Sequence, residues 1–121
     1  MAVETLKCVY VVEHPRMNGL VKVGRSKNIK YRVSVLNTSV PEDFRVVLIY
    51  ETNSYYKLEK SVIKRLTDEG LQRGARDTKE FFNCGVEHVK QVIDQIVAEH
   101  VSMTGSYLDD ETIRDLLRRT R

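Results

Sequence analysis

Between Pro15 and Pro41 stand six basic residues, Arg16, Lys22, Arg25, Lys27, Lys30 and Arg32, and no acidic one. Removing those six from the 20 basic residues of the chain leaves 14 against 17 acidic ones, so the net charge of +3 is gathered in one block. Such a block collects phosphate from solution, whereas the plain alternative is a solvated basic face. One position sharpens the choice. Ile29, Val33 and Leu36 follow helical spacing, and Arg32 falls within or beside that apolar stripe. A guanidinium there is costly to bury unless it is paired, so it reaches a cleft or a carboxylate, or else snorkels along the stripe. Together with Tyr10 in the preceding apolar run, the segment reads as a phosphate site built on a scaffold.

The second residue suited to chemistry is Glu59. It sits on the margin of a helical stripe made by Tyr55, Leu58, Val62 and Leu66, with Ile63 alongside. A surface glutamate on a helix usually pairs with a base one turn away. Here those neighbours are Tyr55 and Tyr56 on one side and Val62 and Ile63 on the other. The missing local pair favours a functional carboxylate. Tyr31, Tyr55 and Tyr56 either pack or stack on bases, and Phe81 and Phe82 read as core.

Other chemistries find little support. No CxxC or HxxxH spacing marks a zinc site, and His14, His88 and His100 are scattered among polar neighbours. Cys8 and Cys84 are far apart and read as reduced thiols; with no signal peptide in view, an intracellular location is expected, cytoplasmic or nuclear. No apolar run approaches the roughly 18 to 20 residues of a membrane span, so no membrane partner is expected.

These residues need elements to position them. At 121 residues and 41% hydrophobic content, the chain has enough material for one core. Leu6 to Glu13 reads as a strand, His14 to Gly19 as a turn with Asn18-Gly19 as its signal, and Leu20 to Gly24 as the antiparallel partner that sets Tyr10 near the Lys22–Gly24 end. A helix follows from Asn28, capped by Ser26 or Asn28. Phe44 to Tyr50 is a nearly continuous apolar strand, expected to be central. Asn53 or Ser54 caps a helix to about Glu69, ended by Gly70. Residues 71–78 form a basic loop, and Lys79 to Phe82 a short strand or apolar plug. Val86 to Val101 is an amphipathic helix, Ser102 to Ser106 a linker, and Asp109 to Arg119 a helix with acids first and arginines last, matching the helix dipole. The expected fold is α+β: a small antiparallel sheet of about three strands flanked by helices. Residues 1–101 form the domain, and 102–121 a linker and short helix that packs back or binds a partner, a second copy included.

The order of elements, the tripeptides Cys8-Val9-Tyr10 and Lys22-Val23-Gly24, the following GRSKNIKYR, and Leu58-Glu59 on a later helix together resemble the GIY-YIG nuclease superfamily, over about residues 6 to 97. Arg32 lies eight residues after Gly24, the interval of the family's helical arginine. KVGRSKNIKYRVS is also similar to the matching part of the bacterial excision-repair nuclease domain. KVG with a late EFF resembles the small domains of phages and large DNA viruses, which would place the protein in a host cell. Cys8 and Val9 replace the family's glycine and isoleucine, Lys22 stands where the second motif has tyrosine, and Asn83 is the candidate for a late asparagine.

The resemblance implies a metal-dependent DNA endonuclease with Tyr10, Lys22, Arg32 and Glu59 as catalytic residues, Glu59 as the ligand of Mg²⁺ or Mn²⁺, and Arg16, Arg25, Lys27 and Lys30 as DNA contacts. The chemistry is coherent. Phosphodiester hydrolysis needs an activated water, charge relief and help for the leaving oxygen. One carboxylate suits Mg²⁺, which keeps much of its water. Arg25 and Arg32 would neutralise the non-bridging oxygens. Tyr10 would position or deprotonate the water, its phenol made more acidic by Lys22 and Arg25. Lys22 would also serve as a phosphate clamp. An inactive nucleic-acid-binding module is the alternative, and a protein-interaction domain using the last helix a third.

Overall fold

The structure, a computed structural model, describes residues 6–13, 16, 19–29, 45–72 and 81–118. Its elements in chain order are β1 (Cys8–Glu13), β2 (Val21–Ser26), β3 (Arg45–Glu51), α1 (Tyr55–Asp68), β4 (Phe81–Phe82), α2 (Val86–Glu99), a 3₁₀ turn (Val101–Met103), β5 (Ser106–Tyr107) and α3 (Asp110–Arg118). The fold is α+β, as the pattern of elements predicts. The strands form one antiparallel sheet in the order β4-β2-β1-β3-β5.

The sheet has five strands where the sequence predicts about three. The three long ones are those expected; of the two edge strands, each two residues long, β4 lies in the segment read as a short strand or apolar plug and β5 is an addition. Pairings that short carry no alternation to read. The middle strand is β1, whose run CVYVV is buried at every position. β3 also lies inside the sheet, but only the short β5 covers its outer side. The segment Ser102 to Ser106 is more than a linker: it contains part of the 3₁₀ turn and the start of β5.

Strand alternation divides the sheet into two apolar faces. Val9, Val11, Val21 and Val23 face Leu58, Val62 and Leu66 of α1 and Val89, Val92, Ile93 and Ile96 of α2. Cys8, Tyr10 and Val12 face the other way, with Val46, Ile49, Ile29 and Ile113 of α3. α1 and α2 are further tied by Arg65 to Glu99 at 3.1 Å and His88 to Glu69 at 2.7 Å.

The β1–β2 connection is a hairpin, but its loop is longer than the two-residue turn that Asn-Gly favours. Glu13 pairs with Val21, which leaves residues 14–20 as the loop. Gly19 takes a φ of 78°, a conformation glycine adopts without a Cβ penalty. Gly70 does the same at 78° where α1 ends. Ser54 is the N-cap residue of α1 but makes no side-chain cap; its hydroxyl donates instead to the Ser102 carbonyl at 2.9 Å.

Candidate phosphate site at the junction of β2 and α1

Near its C-terminal end β2 turns from apolar to basic. Arg25 follows Val21 and Val23 on the face that receives α1, where an apolar residue would continue the core. On α1, Glu59 shares a stripe with Val62 and Leu66, and its residue is only 3% exposed. Two polar side chains thus meet at the margin of an apolar interface. Arg25 Nη1 donates to Glu59 Oε1 at 3.0 Å. The carboxylate side chain is 4% exposed and the guanidinium 39%. Burial of this carboxylate would be costly alone, and the charged hydrogen bond offsets that cost.

The same guanidinium lies over the ring of Tyr56, its carbon 4.1 Å from the centroid. Lys60, one turn along α1, places its ammonium 5.4 Å from that centroid. Tyr56 is 49% exposed. Arg25 is therefore held by a carboxylate below and an aromatic ring beside it. Since guanidinium carries five N–H donors, the one given to Glu59 leaves the solvent-facing edge of this planar fork suited to an oxyanion such as phosphate.

Tyr10 and Lys22 lie on the opposite face of the sheet. Tyr10 pairs with Gly24 and Val12 with Lys22. Tyr10 is 2% exposed and its ring belongs to the second core. A Cβ added at Gly24 would come within 2.5 Å of the Tyr10 hydroxyl. Glycine at the end of the KVG tripeptide is thus what lets the tyrosine lie across β2. Lys22 pairs with Phe81 of β4 and holds its ammonium 5.8 Å from that ring's centroid. Lys27, just past β2, and Arg16, in the hairpin loop, are exposed. Arg32 and Lys30 fall outside the described residues, as does most of the helix expected from Asn28. The Asn28 amide donates to Ser26 Oγ at 2.8 Å, and Ile29 is already helical.

Of the expected site residues, the structure thus brings Arg25 and Glu59 into contact and sets Tyr10 and Lys22 on a shared but different face. The sequence offers Tyr56 only as a residue that packs or stacks on bases, and gives Lys60 no part in the site. Their i, i+4 spacing is legible, but their approach to Arg25 spans 31 and 35 positions of sequence and leaves no periodic trace. Among the described residues no group of three or more His, Cys, Asp and Glu side chains could hold a metal. The described residues therefore do not form an all-protein metal cage. A single carboxylate such as Glu59 fits a hard divalent ion whose other ligands are water and phosphate oxygens.

The fold and this site define an α+β domain that presents an acid-anchored guanidinium at a sheet–helix junction. A family model, the T5orf172 domain, matches residues 7–97, and the chain belongs to that family, which is nuclease-associated. The match contains both Arg25 and Glu59 and ends within α2, before β5 and α3. No curated protein and no solved structure matches the chain. Among the described residues no helix is long and apolar enough to cross a membrane.

Proposed function

We propose that the protein is a metal-dependent endonuclease that hydrolyses DNA phosphodiester bonds by a one-metal route of the GIY-YIG type. The observation that carries this reading is the contact between Arg25 and Glu59 at 3.0 Å, within a nuclease-associated domain. Glu59 would hold Mg²⁺ or Mn²⁺. Bound there, the ion supplies charge neutralisation on the phosphate and support for the leaving oxygen. Arg25 binds a non-bridging phosphate oxygen through its exposed edge, kept in place by Glu59 and Tyr56. Because that guanidinium is fixed before substrate arrives, little reorganisation accompanies its use. Arg32 takes the family's role of second phosphate contact. Arg16, Lys27 and Lys30 contact the DNA backbone, while Tyr10 and Lys22, set on the opposite face of the sheet, are left without a part at this phosphate.

Nicking of supercoiled plasmid in Mg²⁺ or Mn²⁺ tests the reading, with branched and single-stranded DNA as further substrates. Glu59→Ala and Arg32→Ala are expected to abolish cleavage, and Arg25→Ala to lower it by about 10²- to 10³-fold. Circular dichroism of the same variants shows that each is folded. Equal cleavage by the wild type and all three variants would sink the assignment.

One observation favours a second reading, a non-catalytic DNA-binding module. Glu59 already has a strong charged partner in Arg25, which is also what a purely structural pair would look like. That module binds DNA with steep salt dependence and cuts none of the three substrates.

A further inference from the structure

Among the described residues, the exposed large hydrophobic side chains are Tyr56 and Val101. Val101 stands at the 3₁₀ turn. Tyr56 has two cations beside it. The Arg25 guanidinium at 4.1 Å and the Lys60 ammonium at 5.4 Å both lie against its ring. Nothing in the first turn of α1 is acidic, and Lys57 and Lys60 are both exposed there. Glu59, 3% exposed and bonded to Arg25, offsets that guanidinium's charge, so the excess positive charge at this surface comes from Lys57 and Lys60.

An aromatic face of this kind, half in water and flanked by cations, matches a particular ligand chemistry. A nucleotide carries a flat π-system and an anionic phosphate a few ångströms apart. The ring offers a stacking partner to any base, and the two cations offer charge to the phosphate next to it. A base inside a duplex is already stacked on both sides and has no face to give. Paired DNA can use only the cations.

We infer that Tyr56, Arg25 and Lys60 form a binding site for one unpaired nucleotide, its base on the Tyr56 ring and its phosphate at Arg25 and Lys60. The site selects DNA with a single-stranded flap, overhang or displaced base over continuous duplex. This rests on the reading of the basic face as a DNA-binding surface and names the substrate class that the face takes. It also explains why the cation beside Glu59 is stacked on an exposed aromatic: the ring that steadies the arginine also receives the base next to the bound phosphate.

The test is a cycle between protein and ligand, read by fluorescence anisotropy in EDTA so that cleavage plays no part. Three probes are used: a duplex with a short single-stranded overhang, the same duplex with an abasic overhang, and a blunt duplex. Wild type is expected to bind the base-bearing overhang about 5- to 150-fold more tightly than the abasic one, the range of one base stacked on one ring. Tyr56→Ala should lose that preference and bind both overhangs alike. Tyr56→Phe should keep it. Lys60→Ala should weaken both overhangs by the same factor.

Two outcomes overturn the proposal. One is a wild type indifferent to the base. The other is a Tyr56→Ala protein weakened equally on base-bearing and abasic probes, which would make the ring a support for Arg25 alone. Circular dichroism of each variant guards against misfolding. The nuclease reading fails separately: a base preference without Mg²⁺-dependent cleavage removes the nuclease and keeps this site. Glu59-dependent cleavage without a base preference does the reverse.

Discussion

At the scale of single residues, the tightest constraint lies between Tyr10 and Gly24. A glycine inside a strand ordinarily weakens it, because it has more backbone freedom to lose and no side chain to pack. Here its lack of a side chain is what the structure uses: a Cβ would stand 2.5 Å from the tyrosine hydroxyl and 2.6 Å from the ring carbon that bears it. Gly24→Ala is therefore expected to destabilise the domain by about 1–3 kcal/mol, the usual cost of overpacking a filled site. Urea unfolding measures it. In a Tyr10→Phe background only part of the loss should disappear, since the ring carbon stays. An alanine variant as stable as wild type would show that the ring is elsewhere. The pairing behind this contact was legible in the sequence, since hairpin symmetry sets Tyr10 near Gly24. The ring's path over β2 was not, because a side-chain direction depends on packing as well as alternation. Cys8, beside this cluster, follows the expectation of a reduced thiol: it is free and buried, and burial, with Glu51 nearby, pushes it up to about 12.

At the scale of elements, the long periodic segments could be read and the short ones only in part. β1, β2, β3, α1 and α2 all fall within a few residues of the ranges set by their apolar patterns. β4 falls in the segment that reads as a short strand or apolar plug, whereas β5 exists because Ser106–Tyr107 finds a neighbouring strand, which no local pattern announces. β5 depends on contacts of this long-range kind. The Tyr50 hydroxyl accepts from the Gly105 amide at 2.7 Å, and the Tyr50 and Tyr107 rings meet edge to face at 4.7 Å. A side chain at Gly105 would run into the Glu51 carbonyl. α3 has a start signal that was read in part. Asp109 Oδ1 accepts from the Thr112 amide at 2.7 Å, the geometry of an N-cap. Hydrogen bonding to Thr112, its side chain first, holds the Asp109 carboxyl below its ordinary value. A depressed carboxyl stabilises the fold above its unfolded pKa of about 3.9 and loses that effect as pH falls through its folded value. Asp109→Ala should therefore speed amide exchange over the first turn of α3 near neutral pH. In wild type the same amides should lose protection below about pH 4, and the variant should lack that acid step. Identical exchange in both proteins across that range would remove the cap from the account.

At the scale of the whole molecule, the question is what completes the fold that carries the site. The charge block, Arg25 and Glu59 were each legible in the sequence, but their union was not. It depends on β2 and α1 meeting across 34 positions of chain, a tertiary fact that neither segment's periodicity encodes. The same holds for the second apolar face. The family match ends at residue 97, yet Ile113 beyond it is 5% exposed and packs with Cys8, Tyr10, Val12, Val46 and Ile49, joined by Leu108 and Leu116. Thr52, itself buried, donates to the Met103 carbonyl at 3.0 Å, and the Leu108 amide donates to Ile49 at 3.0 Å. The last segment thus covers the face of the sheet that holds Tyr10, while Arg25 and Glu59 sit on the other. Ile113→Ala is expected to cost about 2–4 kcal/mol, a large share of a small domain's stability. Deleting residues 98–121 should go further and abolish cooperative thermal unfolding, because it strips the whole apolar face in one step. Differential scanning calorimetry checks both. The two results also separate the segment's roles. Should the truncated chain keep the wild-type transition, the family-matched region would be complete without it, and α3 would be left to a partner or a second copy. Should it unfold as expected, the amphipathic helix is spent within the domain, and the face of Arg25, Tyr56 and Lys60 is the one left for the proposed nucleic-acid contact.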